Sequence, residues 1–259
     1  MRFVNDLKKY KRYLTYAARA QLKSEVSNSY LDWVWWILEP FFNMIIYTLI
    51  FGYVFHASEE NFPVFVFIGV SIWGFFSKMA NQSVKLIKNN KSIVTKVYVP
   101  KQILLLCAMC VNGFKMFVSL MVVVVMMFAF RIEVDWHLIY VAPSLLLLII
   151  FTYGICCFLL HYGVYVEDLQ YIVEILLKMA MYFTGIFYSI PNRIPAPYGN
   201  IFNSANPIAY IISTMRNGMI YRSGASLPVM AFWYLAAIIL AFCGTRLIYK
   251  RENSYVKVI

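Results

Sequence analysis

Few residues in this sequence have the type and spacing to do covalent chemistry. Cys107 and Cys110 have the Cys-x-x-Cys spacing of a metal or redox pair. No second pair or histidine cluster completes such a set, so they read as apolar thiols buried in helices, like Cys156, Cys157 and Cys243. His56, His137 and His161 are far apart in sequence and have no nucleophile or metal-ligand constellation near them, which argues against an acyl or glycosyl transferase. No Gly-x-x-x-x-Gly-Lys-Ser/Thr phosphate loop occurs to cradle ATP. The sequence therefore predicts no catalytic residue, no metal site and no cofactor bound by this chain.

The charges that interrupt apolar runs are a different matter. Glu39-Pro40, Lys115, Glu174 and Lys178 stand where a charge is costly unless paired or hydrated. Proline at 40 removes a backbone donor and disfavours helical geometry at Glu39, whose carboxylate either snorkels to the membrane boundary or faces a protein interior. Glu174 and Lys178 are four apart with the acid first, the favourable helical order. They either neutralise each other or face a subunit interface or a pathway.

The elements that hold these residues follow from hydropathy. The chain of 259 residues is 62% hydrophobic and only 14% charged, with a mean hydropathy of +0.68, a composition built to face lipid. A bilayer core needs about 20 apolar residues per helix, and six runs qualify: Val34 to Phe55, Phe62 to Ala80, Ile103 to Phe130, Leu138 to Val166, Ile172 to Ile190 and Leu227 to Tyr249. They are continuous rather than alternating, so they predict helices and not a barrel. The fold class is an all-α membrane protein of six transmembrane helices.

The net charge of +11 is a topology signal rather than a mark of nucleic-acid binding. Arg2, Lys8, Lys9, Lys11, Arg12, Arg19 and Lys23 precede the first span. Lys78, Lys85, Lys88, Lys91, Lys96 and Lys101 lie at or between spans two and three, and Arg246, Lys250, Arg251 and Lys257 close the chain. Arg131, Arg193, Arg216 and Arg222 fall on the other side, so the positive-inside rule puts both termini in the cytoplasm. The loop at Glu167-Asp168 is cytoplasmic in this scheme although acidic. The first 30 residues lack the apolar core of a cleavable signal peptide.

Three further segments have their own character. Phe3, Leu7, Tyr10, Leu14 and Ala17 recur at helical intervals among basic residues, giving an amphipathic helix suited to the headgroup layer or to a soluble partner. Asn89 to Pro100 reads as a short helix across the cytoplasmic face. A solvated loop, the alternative, would expose Ile93, Val94, Val97 and Val99. From Pro191 to Pro228, prolines and glycines break the sequence, Asn206-Pro207 reads as an N-cap with proline at the first helical position, and Ile208, Ile212, Met215 and Met219 form one apolar face. Two short helices dipping into the outer leaflet before and after Asn206 would make a gate; the alternative is a loop resting on the membrane surface.

In order along the chain, these features resemble the ABC-2 type permeases of the polysaccharide exporter family, which carry O-antigen, capsule or teichoic acid. Ser29-Tyr30-Leu31-Asp32-Trp33-Val34-Trp35-Trp36-Ile37-Leu38-Glu39-Pro40 is similar to that family's Ser-x-Leu-Gly-x-x-Trp-x-x-x-x-Pro, and Phe62-Pro63 through Gly69 to its start of span two. Asn89-Asn90 through Lys96-Val97-Tyr98-Val99-Pro100-Lys101 resembles its Asn-x-x-x-Ile-x-Lys-x-x-Phe-Pro-Arg loop, and Asn206-Pro207 with Arg216 its Asn-Pro and following Arg. Asp32 stands at the usual glycine, and Glu167 precedes Asp168 where the family commonly has Arg.

The resemblance implies one transmembrane domain over 1–259: an interfacial helix in 1–30, spans one to five in 34–190, an extracytoplasmic gate segment with re-entrant helices in 191–226 and the last span in 227–249. It implies a homodimer in the bacterial cytoplasmic membrane, driven by two copies of a separate ATPase subunit that uses ATP and magnesium and exporting a lipid-linked polysaccharide on an undecaprenyl-diphosphate carrier. On that reading Trp33, Trp36, Tyr47, Tyr182 and Tyr188 line a sugar channel, their faces suited to sugar C–H groups, or simply pack helices. Lys8, Lys9, Arg12, Arg19 and Lys23 collect the carrier diphosphate. Lys91, Ile93, Lys96, Tyr98 and Pro100 couple to the ATPase, and Asn206, Pro207 and Arg216 belong to the gate. The alternative cargo is a small drug or a lipid.

Overall fold

The computed structural model describes residues 2–27, 32–54 and 59–258. Ser29 to Leu31, Phe55 and His56 lie outside the described residues, as does the side chain of Trp33. Among the described residues the architecture is helical throughout. Helix α1 (Arg2–Ser27) carries the amphipathic stripe and lays Ala18 against Cys107 and Val111. Helix α2 (Asp32–Tyr47) contains Pro40 and runs on as a π-helical stretch, Thr48–Val54.

Helix α3 (Phe62–Asn89) is the centre of the bundle, with Val64 to Ile68 almost wholly buried. It runs beyond the predicted end at Ala80 because Ser83, Val84, Leu86 and Ile87 stay buried against neighbouring helices. A short α4 (Lys91–Lys96) leads into α5 (Lys101–Ala129), and a 3-10 turn, Trp136–Tyr140, into α6 (Val141–Tyr165). Then come α7 (Leu169–Phe183), the short α8 (Ile190–Arg193), α9 (Tyr198–Ala205) and α10 (Pro207–Met219), and finally α11 (Leu227–Val258). The two helices predicted on either side of Asn206 are thus α9 and α10.

Five helical stretches among the described residues are long and apolar enough to cross a membrane: Val34–Tyr53, Phe62–Asn89, Lys101–Ala129, Trp136–Tyr165 and Leu227–Tyr255. The helix expected over Ile172 to Ile190 differs. α7 has 15 residues, about 22 Å at 1.5 Å per residue, short of a bilayer core of roughly 30 Å. It ends at Phe183 because Gly185 takes φ +66°, a left-handed conformation that breaks the helical ladder.

Lipid offers no hydrophobic drive between helices, so close association relies on small residues that let backbones meet. A Cβ on Gly163 of α6 would lie 2.1 Å from the Val84 carbonyl oxygen of α3, and one on Gly244 of α11 would lie 2.6 Å from the Cys157 Cβ of α6. α6 is thereby clamped between the central helix and the last one. The cysteines follow this packing: Cys107, Cys156 and Cys157 are buried, whereas Cys110 and Cys243, expected to be buried, are exposed on the outer faces of their helices. Gly163→Ile is expected to force α6 off α3 and cost roughly 3 kcal/mol, read as a lowered thermal transition of the detergent-solubilised protein against Gly74→Ala, where a Cβ meets nothing within 4 Å.

Candidate functional site

One face of α3 is polar although the helix is apolar. Ser71, Gly74, Lys78, Asn81, Lys85 and Asn89 follow one another at intervals of three or four and so fall in one row, with Ser77 beside it. From Ser71 to Asn89 this row is about 27 Å long, comparable with the hydrocarbon thickness of about 30 Å. Helix α2 sets Trp36, Glu39, Asn43 and Tyr47 against its deeper part, and α5 contributes Asn112, Lys115 and Ser119. The residues enclose a cavity of about 480 Å³ and a second of about 400 Å³, which share Lys78, Asn81, Asn112 and Lys115. Together they make one polar groove, walled by α2, α3 and α5 in its deeper part and by α1, α3 and α5 with Gln170 of α7 in its lower part, with Met181 and Ile186 at its upper edge.

Hydrogen bonds fix its walls. Asn112 Nδ2 donates to Gln82 Oε1 at 2.7 Å and to the Ala108 carbonyl at 2.9 Å, tying α5 to α3. Lys115 Nζ makes an ion pair of 2.5 Å with Glu25 of α1 and lies 5.3 Å from the centre of the Trp36 ring. The Asn81 Oδ1 and Ser71 Oγ atoms are buried with no protein partner, so both can receive groups from a molecule in the groove. Glu174 accepts the Gln170 amide at 2.9 Å and makes no ion pair with the exposed Lys178 among the described residues. The self-neutralising pair is therefore not formed.

The groove ends against aromatic rings. Phe187 is buried between Tyr47, at 4.7 Å, and Phe51, stacked at 4.4 Å, with Tyr182 at 6.2 Å. Arg216 holds the loop that carries Phe187: its guanidinium donates to the carbonyls of Phe65, at 3.0 Å, Gly185, at 2.7 Å, and Ile186, at 2.8 Å. It also lies 3.3 Å from the Phe65 ring centre, a cation–π contact inside the protein. Gly69 makes room for it, since a Cβ there would sit 2.7 Å from Arg216 Nη2. Asn206 caps α10, its side-chain oxygen accepting from the backbone of Ile208 and Ala209 at 3.1 and 3.2 Å, with Pro207 in the first turn.

The predicted residues are thus divided. Trp36 and Tyr47 line the groove, Tyr182 flanks its aromatic end, and Tyr188 borders a separate small cavity beside Arg216. Lys8, Lys9, Arg12, Arg19 and Lys23 are exposed on α1 and do not line the groove. Lys91, Ile93 and Lys96 are exposed on α4, Tyr98 is exposed after it, and Val94, Val99 and Pro100 are buried. Tyr98 is anchored: its hydroxyl donates to Glu252 at 3.1 Å and accepts from Arg2 at 2.7 Å, and Arg2 pairs with Glu252. Burial, reinforced by Glu252, pushes the Tyr98 phenol above its usual range.

Sequence reasoning missed Lys78, Asn81, Asn112, Ser119 and Phe187 as site residues. The signal that marks the first two was present, as polar residues at helical spacing within span two. Asn112 and Ser119 stand singly in an apolar run, and nothing local distinguishes Phe187 from the chain's other phenylalanines.

Comparison with known proteins bears on this arrangement. Residues 16–220 match the model of the family described as ABC-2 type transporter. The O-antigen export system permease protein RfbA of Myxococcus xanthus is 24% identical over the whole of both chains. A protein of the same name from Klebsiella pneumoniae is 23% identical over 92% of this chain and 91% of its own. The polysialic acid transport protein KpsM of Escherichia coli is 26% identical over 90% of this chain and 91% of its own.

Arg216→Ala leaves three carbonyls without their donor at roughly 1 to 3 kcal/mol each, and Arg216→Lys cannot reach all three from a point charge. Both are expected to lower the thermal transition and to expose the bonds around Gly185 to limited proteolysis. Asn206→Ala is expected to cost about 1 kcal/mol and Asn206→Asp much less, because aspartate caps as well as asparagine.

Proposed function

The chain belongs to the ABC-2 type transporter family, and we propose that it is the membrane permease subunit of an exporter that carries a lipid-linked polysaccharide out of the bacterial cytoplasm. The observation that carries this reading is the polar row on α3, which faces the groove and runs from the middle of the helix to its lysine-rich end. A cargo of hydroxyls and charges needs such a lining at membrane depth, where lipid offers no partner. Weak contacts to amides, hydroxyls and the flat rings of Trp36 and Tyr47 suit a chain that must slide rather than bind once. The names of the relatives, for O-antigen export and polysialic acid transport, support a glycan over a drug or a simple lipid.

Two copies enclose the path in this proposal. Helix α7 leaves Tyr171, Ile175, Leu176, Met179 and Tyr182 exposed and buries only Val173, and α2 with its π-helical continuation leaves Trp35, Phe42, Ile46 and Leu49 exposed, which suits burial against a second copy beside the groove. Energy comes from a separate cytoplasmic ATPase, two copies per complex, which binds ATP and magnesium and bears on α4, where Ile93, Val97 and Tyr98 are exposed. Its push reaches α1 and α11 through the Arg2, Tyr98 and Glu252 contacts. In this proposal α7 and the non-helical residues 184–189 after it together make a sixth crossing, and both termini lie on the cytoplasmic side with the lysine-rich ends of α3 and α4. Helices α8 to α10, capped by Asn206-Pro207 and held by Arg216, form the outer gate of a single 259-residue transmembrane domain.

Co-expression with candidate ABC ATPase subunits of the same organism, reconstitution in nanodiscs and measurement of ATP hydrolysis with and without lipid-linked glycan test the reading. The expected result is a complex of two permeases and two ATPases whose hydrolysis the glycan stimulates. Asn81→Leu is expected to weaken that stimulation by about tenfold while leaving assembly unchanged. Absence of an associated ATPase refutes the exporter reading, and stimulation by a drug or lipid but not by glycan reassigns the cargo.

A further inference from the structure

The lower part of the groove has more positive charge than its own residues neutralise. Lys78, Lys85 and Lys115 border the 400 Å³ cavity between α1, α3 and α5, and the single carboxylate bordering it is Glu25. Glu25 pairs with Lys115 at 2.5 Å. Among the described residues no carboxylate pairs with Lys78 or Lys85, whereas Lys88, one turn beyond, has Glu167 at 3.2 Å. Glu39 borders only the deeper cavity, together with Lys78 and Lys115.

We propose that Lys78, Lys85 and Lys115 form a binding site for a phosphate or diphosphate group, and that Glu25 occupies part of it as an internal competitor. The inference rests on reading the groove as the export path and adds a means of regulating entry to it. A diphosphate esterified at both ends keeps one ionised oxygen on each phosphorus and offers more acceptor oxygens than one carboxylate, so it can engage several of the ammonium groups where Glu25 holds one. Asn81, at the junction of the two cavities, has its buried Oδ1 free to accept from a hydroxyl next to the phosphate. A phosphate linked to a sugar would place the anion and the hydroxyl in that order along the groove.

The competition has a mechanical consequence. Glu25 lies near the end of α1, a few residues before α2 begins, and its pair with Lys115 ties that end to the middle of α5. An arriving phosphate that takes over Lys115 releases the tie, so binding of the head group frees the end of α1 from α5. Lys115 lies beside Trp36 of α2 while it holds Glu25. Binding and release are therefore one event at one ammonium group.

The test is pyrophosphate binding to the full-length protein in phosphatidylcholine nanodiscs, by isothermal titration without ATP, with thermal unfolding checked for every variant. Lys78→Gln and Lys85→Gln are each expected to weaken binding by about tenfold, and Glu25→Gln to tighten it by a similar factor. Binding detected only in Glu25→Gln is the limiting case of the same competition. No binding in either form, unchanged or weaker affinity in a normally folded Glu25→Gln, or full affinity in the lysine variants overturns the proposal. Because the readout involves neither glycan nor ATPase, pyrophosphate binding by a protein with no glycan-stimulated hydrolysis refutes the export reading alone. Nanodiscs containing phosphatidylglycerol identify the source: loss of pyrophosphate affinity there means that the site holds an ordinary lipid headgroup, and its retention means that the site prefers a diphosphate head.

Discussion

A row of polar side chains on an otherwise apolar helix cannot face lipid, because hydrocarbon supplies no partner for hydroxyls, amides or ammonium groups. Helix α3 is built around that constraint. Its apolar side, from Val64 to Ile68 and on through Ile72 and Met79, is buried against α6 and α10, and this fixes the rotation of the helix about its axis. With that rotation fixed, Ser71, Lys78 and Asn81 face α2 and α5 and Lys85 faces α1 and α5, and the groove exists because these neighbours bring polar groups of their own.

The two ends of the groove are held by different physics. At the aromatic end a single guanidinium replaces a stretch of secondary structure: Arg216 satisfies the carbonyls of Gly185 and Ile186, which α7 would otherwise have satisfied by continuing as a helix. The chain can thereby leave helical geometry inside the protein without orphaned acceptors, and Phe187 is set over the groove. At the other end the ties are side chain to side chain, from Arg2 to Tyr98 and Glu252, from Tyr249 to Asp6 at 2.7 Å, and from Lys115 to Glu25. Contacts between partly exposed charges are worth less than the buried network around Arg216. That end is therefore the more easily rearranged of the two, which is what the proposed entry of cargo and coupling to a motor would require.

Much of this was legible in the residues. Continuous apolar runs predicted five of the helices that can span a membrane, and helical spacing of Phe3, Leu7 and Tyr10 predicted α1. Asn206-Pro207 predicted the start of α10, because a cap is a contact between neighbours in the chain. These are local properties, determined by run length, periodicity and the first turn of a helix. The polar face of α3 was legible in principle from the same periodicity. The stop of α7 at Phe183 was not, since the residues after it remain apolar and only the distant Arg216 makes non-helical backbone acceptable there.

By itself, the sequence determined an all-helical membrane protein, its amphipathic lead-in, its short helix between the second and third spans and the broken segment before the last span. The tertiary structure alone decided which charges meet. Lys115 could have paired with nothing, with lipid or with any acid, and it finds Glu25 of α1. Glu174 takes Gln170 rather than Lys178, and Arg216 takes carbonyls from two separate segments. The physical reason is that a helix's own sequence sets its length and its faces, whereas its partners depend on how several helices rotate and cross together, and that is a property of the packed bundle.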